Sequence, residues 1–65
     1  MQMEELSYYD ISFQRSKTGP MGVARRPDME AVIQWLRDNE GQIHLVMVMK
    51  MPGEMPNLPD KESVI

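Results

Sequence analysis

No cysteine occurs in the sequence, so no disulfide staples the chain and no thiolate holds a metal. Histidine is almost as scarce: His44 is the single one, and a zinc site or a nucleophile–base pair has only that imidazole to draw on. The serines, Ser7, Ser12, Ser16 and Ser63, lack a base unless folding sets His44 beside Ser12. Even that pair needs an orienting acid and an oxyanion hole before it becomes catalytic. The acids are spread without the ligand spacing of a calcium loop. Gly19-Pro20-Met21-Gly22 lacks the Gly-Lys-Ser/Thr that completes a phosphate loop. The expectation is a non-enzymatic protein with no metal and no cofactor.

Long apolar runs are missing as well. No stretch approaches the ~20 residues of a membrane span. The opening MQMEELSYYD is acidic and has neither the basic nor the apolar region of a signal peptide. A soluble, cytoplasmic protein with no membrane contact is the resulting expectation. At 65 residues it makes one small domain. A chain of that size buries only about 60% of the surface that its unfolded form exposes. Basic charge is scarce too, and the formal net charge of −3 argues against wholesale binding to nucleic acid. The few cations are unevenly placed, however. Arg15, Lys17, Arg25 and Arg26 fall in a segment with no acid between Ile11 and Pro27, while the acids lie on either side of it.

What is present sorts into four elements and a tail. Leu6–Arg15, LSYYDISFQR, alternates from Tyr9 onward, with Tyr9, Ile11 and Phe13 on one side and Tyr8, Asp10, Ser12 and Gln14 on the other. Aromatic and β-branched residues in period two predict a strand. SKTGP is a turn, and MGVARR (Met21–Arg26) is a short returning strand weakened by Gly22. Pro27–Asn39 is predicted helical: Pro27 suits the first helical position, and Asp28 and Glu30 face the positive end of the dipole. Met29, Val32, Ile33 and Leu36 recur at helical spacing as the buried stripe, with Trp35 on its flank and partly exposed. Gly41 is the expected left-handed stop.

Ile43–Met51, IHLVMVMKM, reads as a third strand. The order strand, strand, helix, strand predicts a small α+β layer (ββαβ), with one helix on a mainly antiparallel three-stranded sheet of order 2-1-3. In this arrangement the helix covers Ile43, Leu45, Met47 and Met49, which leaves Val46 and Val48 on the opposite face with nothing of this chain to cover them. A bare parallel strand-helix-strand unit, with MGVARR as a loop, is the alternative. Residues 1–51 form the domain, and residues 52–65, with Pro52, Pro56 and Pro59, form an extended tail. Pro56–Lys61 fits the permissive PxxPx[K/R] pattern of SH3 ligands, and Glu62–Ile65 fits the Ser-x-apolar ends that PDZ domains bind.

These features predict a protein-binding module, a small regulator or inhibitor of a larger protein partner. Small, acidic, cysteine-free single-layer proteins of phages and mobile elements that block host machinery offer the analogy. The candidate contact residues are Arg15, Lys17, Arg25 and Arg26 in the basic hairpin, Trp35 on the helix flank, and His44, Val46, Val48 and Lys50 on the third strand. A homodimer through residues 43–51 is a further expectation. The second functional reading is a small dimeric nucleic-acid-binding regulator that clamps phosphates with the basic hairpin.

Overall fold

The computed structural model describes residues 5–62. Its elements follow in the order β1 (Ser7–Gln14), β2 (Met21–Arg26), α1 (Met29–Asp38) and β3 (Leu45–Pro52). Both β2 and β3 pair antiparallel with β1, giving the spatial order β2-β1-β3. The expected α+β architecture and strand order are both present, and MGVARR is a strand rather than a loop.

The helix starts two residues later than the sequence suggests. Asp28 caps it, so Pro27 precedes the helix rather than taking its first position: the backbone is extended at Asp28, and the carboxylate accepts a 2.9 Å hydrogen bond from the Ala31 N–H. Asn39 closes the other end, its backbone N–H and side-chain amide both donating to the Trp35 carbonyl, at 3.1 and 2.8 Å. Gly41 follows at φ +79°, the left-handed geometry expected of the stop.

The core is small and lies between α1 and the β1–β2 half of the sheet. Ile11, Phe13, Ala24, Val32 and Trp35 form it, with Tyr9, Leu36 and Ile43 packed around the margin. Two corrections follow for the helix. Trp35 is buried, with 8% of its surface exposed, and its ring meets Phe13 at a centroid distance of 4.9 Å and a tilt of 51°. Met29 and Ile33, expected inside, are exposed. The helix lies over β1 and β2, and among the described residues its backbone makes no close approach to β3. That placement turns the buried stripe toward Val32, Trp35 and Leu36, an i, i+3, i+4 set neighbouring the expected one.

The larger correction concerns β3. Its register sets Val46 opposite Phe13 and Val48 opposite Ile11, while Met47 faces Ser12 and Met49 faces Asp10. Residues directly opposite in a ladder share a face. Val46 and Val48 therefore lie on the helix side of the sheet, and Leu45, Met47 and Met49 lie on the far side. The two faces are the reverse of those expected.

Candidate protein-interaction surface

The sheet has two edges, and this chain treats them differently. Gly53 N–H donates to the Leu6 carbonyl at 2.8 Å across the β1–β3 ladder. Leu6 and Gly53 extend the register by one step, so the hydrogen-bonded pairs are those of the even-numbered β1 residues: Tyr8–Met51, Asp10–Met49 and Ser12–Met47. Between them lie the non-hydrogen-bonded pairs Tyr9–Lys50, Ile11–Val48 and Phe13–Val46. The main-chain N–H and C=O groups of Val46, Val48 and Lys50 consequently point away from β1, along the open edge. Among the described residues no further strand pairs with that edge.

The other edge is covered. By the same alternation Val23 and Arg25 turn their main-chain groups outward from β2. The tail meets them there. Val23 N–H donates to the Lys61 carbonyl at 2.7 Å, and Lys61 N–H donates back to Val23 at 2.8 Å. Arg25 N–H donates to the Asp60 carboxylate at 3.3 Å. Arg26 grips that carboxylate with two hydrogen bonds of 2.9 and 2.8 Å. Farther along, Arg15 pairs with Glu62. Pro52, expected to open the tail, closes β3 instead, and the described part of the tail is tied to the β2 edge.

The tail also accounts for the basic segment. Asp60 is held below the usual carboxylate range, chiefly by the Arg26 hydrogen bonds and to a smaller degree by the Arg25 N–H, with burial acting the other way. Arg26 is raised by the same contact. Arg25 faces Asp10 across the strands, with Nε 3.4 Å from Oδ1. That contact is a charge pairing without hydrogen-bond geometry, for Asp10 Oδ1 is buried with no hydrogen-bond partner. Arg15, besides Glu62, donates to Asn39 Oδ1 at 3.0 Å and to the Gln42 carbonyl at 3.3 Å, and stands 5.1 Å from the centre of the Phe13 ring. The three arginines each answer an acid of this chain, and Lys17, in the exposed turn, pairs with no acid among the described residues.

Of the other candidates, Trp35 is in the core and His44 is exposed just ahead of β3. The His44 backbone N–H donates to the Gln14 carbonyl at 2.7 Å. Ser12 faces Val23 and Met47, so the Ser12–His44 pairing does not form. Lys50 is exposed on the open edge strand. Among the described residues no three His, Asp or Glu side chains gather as a metal site, and no helix is long and apolar enough to cross a membrane. The SH3-type segment includes Lys61, which is bridged to Val23. Most of the PDZ-type peptide, residues 63–65, lies outside the described residues.

Strand β3 is thus the distinctive surface. Leu45, Met47 and Met49 expose 51%, 55% and 52% of their surface on one face, and Val46 and Val48 expose 39% and 37% on the other. The three far-side residues were missed as contact residues because the expected facing put them under the helix. Compared with known protein families, curated proteins and solved structures, the chain matches none.

Proposed function

We propose that this chain is a non-enzymatic protein-binding module, a small regulator or inhibitor that captures a larger partner protein through β3. One observation carries the reading: β3 exposes apolar side chains on both faces and, among the described residues, is unpaired along its outer edge, while the tail covers the opposite edge. Exposed, contiguous apolar surface on a small protein marks a contact site. The side chains suit that role. Leu45, Met47 and Met49 form a flexible thioether-rich face that can conform to an apolar partner surface.

Nucleic acid is the weaker reading, since Arg15, Arg25 and Arg26 are committed to acids of the same chain. The test is capture from lysate by the immobilised protein, with and without nuclease, and identification of the bound protein by mass spectrometry. Replacing Met47 and Met49 together by Lys places ammonium groups in the proposed contact without unfolding the chain, because both side chains face away from the helix. Captured protein should survive nuclease. Its affinity should fall by about 2 kcal/mol or more, roughly 30-fold, in the double variant. Undiminished binding by that variant, or loss of all capture on nuclease treatment, would sink the proposal.

A further inference from the structure

We infer that β3 pairs with β3 of a second copy, antiparallel about a twofold axis at Val48, joining two sheets into one of six strands. The inference deepens the β3 contact reading and rests on it. Three observations lead to it. The outward main-chain groups are those of Val46, Val48 and Lys50, so any added strand must meet all three residues. The added strand must also be apolar on both faces, because Val46 and Val48 border it on one side and Met47 and Met49 on the other. Strand β3 is itself a segment with that double-sided apolar character.

Register decides the rest. A twofold at Val48 sets Val48 opposite Val48, Val46 opposite Lys50 and Met47 opposite Met49 of the other copy. Each outward N–H then meets an outward C=O, and no lysine faces a lysine. Shifting the axis to Met47 brings Lys50 opposite His44, whose N–H is already given to the Gln14 carbonyl. Moving it to Met49 brings Val46 opposite Pro52, which has no N–H to give. Only the Val48 axis pairs the outward groups of Val46, Val48 and Lys50 wholly with one another, leaving His44 and Pro52 facing each other at the ends of the ladder. Among the described residues α1 sits over β1 and β2 and its backbone makes no close approach to β3.

The pairing also enlarges the surface that the proposed function uses. Leu45, Met47, Met49 and Met51 of one copy come to lie beside Met51, Met49, Met47 and Leu45 of the other, a continuous thioether-lined face that neither copy has alone. The interface is isologous, as closed dimers require.

The absence of cysteine makes the register directly readable. Met47→Cys, Val48→Cys and Met49→Cys are made singly in the full chain and oxidised. Non-reducing electrophoresis then follows the linked dimer, and light scattering on the wild type gives the mass over a wide concentration range. The wild type should approach twice the 7.6 kDa chain mass. Val48→Cys should cross-link at least ~10-fold faster than either neighbour. Directly opposed Cα atoms lie about 5.5 Å apart, within disulfide reach, whereas the diagonal 47–47 and 49–49 pairs lie at about 7–8 Å. Val48→Pro removes an N–H that the monomer does not use, so it should give a folded monomer. A wild type that stays monomeric at every concentration overturns the inference, as does preferential cross-linking at Met47→Cys or Met49→Cys. If that monomer still captures a partner protein through β3, the proposed function stands and the dimer alone fails. A Val48-linked dimer that captures nothing leaves the inference standing and removes the function.

Discussion

Two residues, Trp35 and Gly22, set the limits of the core. Trp35 stacks obliquely on Phe13 beneath the helix, so Trp35→Ala should cost about 3–5 kcal/mol, much of the stability of so small a domain. Ile33→Ala, on the exposed flank, should cost less than ~1 kcal/mol. Urea melts of the two variants check the contrast, and equal losses would mean that the buried stripe is the one centred on Ile33. Gly22 is held by space. A Cβ there would stand 2.6 Å from Phe13 Cζ and 2.8 Å from the Lys61 carbonyl oxygen. Gly22→Ala should therefore destabilise by about 1–3 kcal/mol and loosen the tail, a change visible in amide exchange at Val23. In the sequence this glycine reads only as a weakness in a short strand, because the tail that crowds it is some forty residues away. Trp35 was misplaced for a related reason. A helical pattern with apolar residues at 29, 32, 33, 35 and 36 admits two adjacent stripes, and the choice depends on which strands the helix covers.

At the scale of elements, β1 and α1 were legible because polar and apolar residues alternate or recur at one period in each, whereas β2, with no such pattern, was legible only as a short strand with a loop as the alternative. Strand β3 was legible as a strand but not as to its facing. Val46, Met47, Val48 and Met49 are all apolar, so a period-two pattern carries no information there, and a shift of one residue exchanges every side chain. The register on β1 decides it. Proline substitution tests that register directly. Val48→Pro leaves the β1–β3 ladder intact, whereas Met47→Pro removes a donor from the Ser12–Met47 pair. Circular dichroism and melting should show the first folded and the second substantially destabilised, and similar losses in both would refute the assigned edge. The tail was legible as extended but not as docked, because its attachment rests on the single pairing of Lys61 with Val23 and on scattered ion pairs. Its docking should depend on pH. A carboxyl held below its ordinary range contributes fully above that range and loses its contribution as pH falls through the lowered value. Protection of the Val23 amide against exchange should accordingly weaken in acid, and Asp60→Asn should remove that dependence. An Asp60→Asn tail that undocks at the same pH as the wild type would assign the effect to another group.

For the molecule as a whole, the pairing of Arg15, Arg25 and Arg26 with Glu62, Asp10 and Asp60 leaves an acidic protein with its basic segment largely neutralised. Affinity for duplex DNA at physiological salt should be undetectable in the micromolar range, and a steep salt dependence of any binding would reverse that expectation. The sequence showed the cluster of cations but not their partners: Asp10 meets Arg25 when β1 pairs with β2, and Asp60 and Glu62 approach only when the tail crosses back to β2.

The tail sets the valence of the sheet. With the β2 edge occupied by Lys61, the described residues leave one edge for the proposed pairing, and one-edged units can do no more than close in twos. Deleting residues 54–65 would expose the outward groups of Val23 and Arg25 and give every copy two edges. Units with two edges join end to end without limit, and the truncated chain should grow into filaments or precipitate where the whole chain stays small. Under the proposed pairing, the docked tail would decide whether strand addition terminates or propagates.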